Sequence, residues 1–228
     1  TYQTLNMSNG GGNQNLLINP RGKINQANES DGVLSAGQHF CDGWKAGAAG
    51  AEVYRDADGF RLISGSILQL VPNNLDLGRK IMGYMDIIQG SPTIRINGGT
   101  DSELSNDQAH IKFEVTGNNS KFTRCIMAES ETLPTYQQAK DELAPCMRFL
   151  LVLTGRTHRY MAIGAHVNHD EVIGDFYGTP AASYSAIRGA TAIIGKPYGF
   201  HWNNALNHSN AGLWVADLTL DASLSRDR

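Results

Sequence analysis

One stretch of this chain carries helix signals, and that constrains the fold more than any other feature. Thr132 to Phe149, TLPTYQQAKDELAPCMRF, offers Thr135 as an N-cap and Gln138 three residues on to answer the capping residue's backbone N–H. Pro145 then bars further helical hydrogen bonding. The spacing predicts a single short helix dividing the chain. On either side of it the sequence is written in short runs and turn residues, so the core has to be built from sheets.

Before the helix, apolar or alternating runs cover Gly59 to Ser64, Ile67 to Val71, Lys80 to Ile88, Thr93 to Ile96, His110 to Thr116 and Phe122 to Ala128. Ile111-Lys112-Phe113-Glu114-Val115 alternates with period two, as a strand with one wet face should. Pro72-Asn73-Asn74, Asn97-Gly98-Gly99 and Gly117-Asn118-Asn119 separate these runs. Asp56-Ala57-Asp58-Gly59 resembles a calcium loop but lacks its later acidic positions, and it reads better as a hairpin turn. After the helix, Phe149 to Thr154, Tyr160 to Ala165, Val172 to Tyr177, Ser183 to Ile187, Ala190 to Ile194 and Leu213 to Leu220 read as strands. The expected architecture is a polar, Gly10-Gly11-Gly12-bearing flexible junction over 1–14 and a jelly-roll-like antiparallel β-sandwich over 15–134. Residues 135–228 then hold the short helix and a smaller β-rich tip domain.

Composition excludes several functions. A chain of 228 residues can bury an ordinary core without a disulfide or metal staple. A formal net charge of -3 gives no basic field of the kind that draws proteins to nucleic acid. Cys41, Cys125 and Cys146 are an odd number with no CxxC pair, which predicts buried free thiols and argues against a zinc knuckle. The longest apolar run, around Phe149 to Leu153, is too short to span a bilayer, so no membrane insertion is expected. The chain opens at Thr1 without a basic-then-apolar leader, and it reads as the C-terminal piece of a longer protein.

Three segments carry a resemblance. Glu142, Leu143, Cys146, Arg148 and Phe149 show an acidic-Leu-x-x-Cys-x-Arg-aromatic spacing. Asn15-Leu16-Leu17-Ile18-Asn19, with Ile24-Asn25-Gln26 after it, precedes that spacing, and Leu213 to Leu224, LWVADLTLDASL, follows it. In this order the chain resembles the C-terminal receptor-binding region of bacteriophage tail-fibre and tail-spike proteins. Leu150 stands where the family usually has a second aromatic, Met147 where it has Gln, and Pro145 where it has a helix-compatible residue. The resemblance implies a homotrimer joined to an upstream fibre shaft and located on the virion tail, outside the host envelope. It further implies attachment to a host cell-surface glycan, lipopolysaccharide or capsule, without catalysis. Two other readings are a tail-spike depolymerase fragment and a structural trimerisation cap. The motif residues themselves read as architecture, with Cys146 a packing residue and Arg148 bound to helix carbonyls or to Glu142.

Sugars are bound by an aromatic ring against the C–H face of the pyranose and by amide, hydroxyl or imidazole groups meeting its hydroxyls. Lys196 to Asn210 is rich in both kinds of group, and the candidate ligand-binding residues are Tyr198, Phe200, His201, Trp202, Asn203, Asn204, His208 and Asn210, with Trp202 as stacking platform. The alternation of Tyr198, Phe200 and Trp202 equally fits a strand face packed in a core. His166-Val167-Asn168-His169-Asp170-Glu171 contains metal-ligand types, but extended spacing sends His166 and His169 to opposite sides. An exposed turn is expected there, with no bound metal and no cofactor. Catalytic motifs fail: Pro197 stands where a phosphate loop needs Ser or Thr, and no Gly-x-Ser-x-Gly elbow exists. Glu129, Glu131, Asp170, Glu171, Asp175 and Asp217 are acids of the type that cleaves glycosides, yet nothing selects a pair, and the chain reads as a non-enzyme.

Overall fold

The computed structural model describes residues 14–160, 168–172, 181–184, 187–188, 192–196, 199–203 and 212–221, with side chains for 14–150 and Val152. The elements are β1 (Gly32–Leu34), β2 (His39–Cys41), β3 (Trp44–Asp56), β4 (Gly59–Pro72), β5 (Lys80–Gln89), β6 (Thr93–Ile96), β7 (Ser102–Leu104), β8 (His110–Thr116) and β9 (Ser120–Glu129). They continue with α1 (Leu143–Met147), β10 (Leu150–Tyr160), β11 (Asn168–Val172), β12 (Ala181–Tyr184), β13 (Ile187–Arg188), β14 (Ala192–Lys196), β15 (Gly199–Asn203) and β16 (Gly212–Asp221). Two compact units result, one of residues up to Lys23, Asp31–Gln38 and Trp44–Lys140, the other of Ile24–Ser30, His39–Gly43 and Asp141 onward.

The first unit is an antiparallel β-sandwich. Its strands run in the order β1-β3-β4-β9-β5-β7, and β8 and β6 continue from the far half of β4. The division happens within β4: Phe60 to Leu62 pair with β9, whereas Ser66 to Pro72 pair with β8. The two layers then face each other. A Cβ at Gly83 of β5 would stand 3.0 Å from both Ile94 Cγ2 and Phe113 Cε2, so the layers approach closely there because that residue has no side chain. The predicted alternation of β8 holds, with Ile111, Phe113 and Val115 buried. Trp44 lies 5.0 Å from Phe60 and 6.1 Å edge-on from Phe113, and Phe60 lies 5.6 Å from Phe122. Each such ring removed from water stabilises the fold by about 1.5–3 kcal/mol. The Asp56-to-Gly59 segment is the hairpin turn joining β3 and β4, with Asp56 opposite Gly59. Gly59 sits at φ +127 with Phe122 O 2.3 Å from where its Cβ would be, so only glycine fits.

Where β4 parts from β9, the edge of β9 is covered by the segment Asn15 to Pro20, which is not itself a strand. The Asn15 amide donates to Cys125 O (3.0 Å) and accepts from the Met127 N–H (3.1 Å). Leu16 N–H donates to Met127 O (2.8 Å), and Cys125 N–H donates to Pro20 O (3.1 Å). All four backbone groups of Cys125 and Met127 are thereby satisfied. Buried Gln69 of β4 repeats the device, accepting from Ile18 N–H (2.8 Å) and donating to Ile18 O (3.0 Å). Trp44 Nε1 closes the row by donating to Asn19 O at 2.8 Å.

The helix differs from its expected place. It spans Leu143–Met147, and Thr135 caps nothing, because most of the residues before the helix are exposed, Leu133 and Ala139 among them, and no apolar face is buried there to hold one. Asp141 Oδ1 instead accepts from the N–H groups of Leu143 (2.9 Å) and Ala144 (3.1 Å). Pro145 lies inside the first turn, where its missing N–H has no intrahelical partner to lose. Cys146 is buried, and its thiol donates to Glu142 O at 3.3 Å. In the same unit Gln26 binds the buried Asp42 carboxylate through its N–H (2.8 Å) and side-chain amide (2.6 Å), and that amide also donates to Leu150 O. β16 is the central strand of its sheet, flanked by β10 on one side and β12 and β13 on the other. Its register sets Leu220 between Leu151 and Ala182, and Leu218 between Leu153 and Tyr184, an apolar pair of rows.

Candidate functional site

Within the aromatic and amide-rich stretch the described residues Gly199–Asn203 form a strand, the alternative that the alternation of Phe200 and Trp202 left open. This is β15, the middle strand of a three-stranded antiparallel sheet ordered β11-β15-β14. Phe200, His201, Trp202 and Asn203 lie on this strand. Tyr198, Asn204, His208 and Asn210 fall outside the described residues.

The partner strand comes from the other polar segment. Rather than an exposed turn, Asn168 to Val172 form β11, while His166 falls outside the described residues. The register sets Asn168 opposite Asn203, His169 opposite Trp202, Asp170 opposite His201 and Glu171 opposite Phe200. On the other flank Ile193 stands opposite Trp202, Ile194 opposite His201 and Gly195 opposite Phe200. Because alternate residues share a face, His169, Glu171, Phe200 and Trp202 occupy one face, while Asn168, Asp170, His201 and Asn203 occupy the other. Directly opposed positions bring Cβ atoms to about 5 Å. The two segments singled out separately in the sequence therefore form one arrangement, with two aromatic positions beside an imidazole and a carboxylate position.

The sequence showed the residue types but not their pairing, since β11 ends at Val172 and β15 begins only at Gly199. Asn168, Asp170 and Glu171 take their significance only from this register. The acids considered for glycoside cleavage separate: Asp170 and Glu171 are consecutive and lie on opposite faces of β11. Glu129 is engaged by the Arg79 guanidinium, with Nε at 2.6 Å, and Glu131 lies 3.8 Å from Lys80 Nζ. Asp175 falls outside the described residues.

In the first unit Ser66 Oγ donates to Glu114 Oε1 at 2.7 Å, a serine–carboxylate pair. Burial pushes the Glu114 carboxyl up, but hydrogen bonds from Ser66 and Lys112 and the charges of Lys112 and Arg95 outweigh it and hold the group below its ordinary value. A carboxylate stabilised in this way is a poor base for the Ser66 hydroxyl. All three cysteines are free and buried, as the sequence predicts, and burial pushes the Cys125 thiol up, away from the reactive thiolate. Among the described residues no helix is long and apolar enough to cross a membrane, and no three His, Cys, Asp or Glu side chains gather as a metal site.

No family model matches the chain, and comparison with curated proteins and with solved structures gave no match.

Proposed function

We propose that this chain is the receptor-binding end of a phage tail fibre, adhering without catalysis to a glycan of the host envelope, lipopolysaccharide or capsule. The observation that carries this reading is the register of β11 and β15, which gives the Trp202 and Phe200 positions the same sheet face as His169 and Glu171. Aromatic and hydrogen-bonding groups on one rigid face are the two chemistries that a sugar ring requires, and a sheet holds them better than a free loop. The resemblance carried by Asn15 to Asn19, by Glu142 to Phe149 and by Leu213 to Leu224 adds the fibre context. It also adds the homotrimer, the upstream shaft and the virion-tail location. Three copies of a weak site give firm adhesion through avidity.

Host-cell binding by the wild type, Trp202→Ala, His169→Ala and Ile193→Ala tests the reading. Adhesion weaker by at least about tenfold in the first two variants, with melting temperature and a light-scattering mass of three chains retained, is the expected outcome, because the substitution weakens every copy of the site and avidity multiplies the effect. Ile193→Ala, on the same face but apolar, should retain binding. Full adhesion by folded Trp202→Ala and His169→Ala protein would remove the site from this sheet. Release of new reducing ends from capsule or lipopolysaccharide would replace the adhesin by a depolymerase.

A further inference from the structure

A second feature lies in the first unit, at the end of the sandwich marked by the β3–β4 turn. Register aligns Tyr54 of β3, Arg61 of β4, Lys121 of β9 and Gln89 of β5 in a single row across four strands. Three strand spacings make that row about 14 Å long. The Arg61 guanidinium carbon lies 4.6 Å from the centre of the Tyr54 ring, so the fork is stacked and held flat. Asp56 is shared between Arg61 Nε at 3.5 Å and Lys121 Nζ at 3.7 Å. At the turn Asp58 meets Lys23 Nζ at 3.2 Å, and nearby Arg124 Nη1 meets Asp86 at 3.1 Å.

Four cations that water reaches, Lys23, Arg61, Lys121 and Arg124, thus stand with three aspartates and with Glu52, which accepts from the Tyr54 hydroxyl at 3.1 Å, and buried Arg21 adds a fifth positive charge beside Asp58 at 3.1 Å. The cluster therefore carries one positive charge more than negative, on a chain whose net charge is -3. Partial burial pushes the Asp58 carboxyl up, but the Lys23 hydrogen bond and the charges of Lys23, Arg21 and Arg124 prevail and hold it below its ordinary value. The two pairs to Asp56 are long and about two-fifths exposed, and exposed pairs of that kind are worth roughly 0–1 kcal/mol. An incoming anion therefore displaces little when it takes Arg61 and Lys121.

Arg124 sharpens the point. It has φ +49 inside β9, where the register with β5 slips between Tyr84 and Asp86. That backbone favours glycine, and a side chain there costs about 1–2 kcal/mol. The position carries a cation where a relaxed bulge would carry none.

We propose that this row is a second binding site, separate from the β11–β15–β14 sheet and independent of it, for a saccharide bearing carboxylate or sulfate groups. The stacked Arg61 fork takes the anionic group in bidentate fashion and Lys121 adds charge, while the Tyr54 hydroxyl, which donates to Glu52 at 3.1 Å, and the Gln89 amide, which donates to Asn119 O at 3.5 Å, accept from ring hydroxyls along the row.

The test is calorimetric titration of the whole chain with a heparin-derived hexasaccharide, an oligogalacturonate of matched length, a neutral malto-oligosaccharide and a polyphosphate. Both acidic saccharides should bind, more weakly as salt rises, and the neutral sugar and polyphosphate at least about tenfold more weakly. Arg61→Gln with Lys121→Gln should reduce acidic-saccharide affinity at least about tenfold at unchanged melting temperature. Arg124→Gly should weaken binding while keeping or raising stability. Trp202→Ala should leave these affinities unchanged, which separates this site from the sheet proposed above. Equal binding of polyphosphate would overturn the saccharide assignment, and wild-type affinity in a folded double variant would overturn the site itself.

Discussion

Replacing Gln69 by leucine tests the way in which the amino-terminal segment is fixed to the sandwich. The side chain is buried, at 2% exposure, and its amide meets both backbone groups of Ile18 as a neighbouring strand would. Leucine keeps most of the volume and removes both hydrogen bonds, each worth a net of about 1 kcal/mol. It also strands the Ile18 N–H and C=O, at about 1–3 kcal/mol for each group that water does not reach. Ile18 is half-buried, so water relieves part of that cost. The extra apolar burial returns about 1 kcal/mol. The balance is a loss of about 2–3 kcal/mol, read as a lower urea midpoint at unchanged slope. Gln69→Glu is the control: it keeps an acceptor for the Ile18 N–H but faces the Ile18 carbonyl with oxygen while ionised. Its deficit should shrink as the solution is acidified, because the protonated acid regains a donor. A Gln69→Leu protein within about 0.5 kcal/mol of wild type would refute the argument, since surface changes alone span that range.

Two further outcomes are expected. The Glu114 carboxyl is held below its ordinary value, so its contribution is fully present above the unfolded-state pKa and is lost as pH falls through the folded-state one; urea titrations between pH 6 and 3 should show a shallower acid loss for Glu114→Gln than for wild type. Cys41, Cys125 and Cys146 are buried, so a thiol reagent should label the native chain at a rate set by unfolding and label all three at once in denaturant; fast labelling of Cys125 in the native state would contradict its placement.

Several strands were legible because one face is buried and the other wet. Ile111, Phe113 and Val115 show that pattern, and β8 has the limits that alternation predicts. β3 left no such trace, because Ala46, Gly47, Ala48, Ala49, Gly50 and Ala51 give no contrast between faces, and only pairing with β4 makes that stretch a strand. At Thr132 to Lys140 the capping signals were present without a buried apolar face, since Leu133 and Ala139 are exposed, and local signals alone do not hold a helix. Phe200 and Trp202 alternated visibly, so a strand was readable beside the contact surface, but its pairing with His169 and Glu171 is a long-range choice. The role of Asn15 was hidden for a related reason. A side-chain amide that stands in for a strand has no periodicity to read.

The covered edge of β9 also governs the order in which the first unit can be completed. Asn15 leaves the ribosome well before its partners Cys125 and Met127, which follow 110 and 112 residues later. Until β9 exists, Asn15 to Pro20 has no edge to bind, and once β9 pairs with β4 and β5 it waits with an open edge until that segment arrives. Closing so long a loop is slow compared with forming the adjacent hairpins. During that interval the same segment of a neighbouring chain satisfies the edge equally well. In an assembly of several identical chains held side by side, this makes strand-edge exchange between copies the characteristic folding error of the unit.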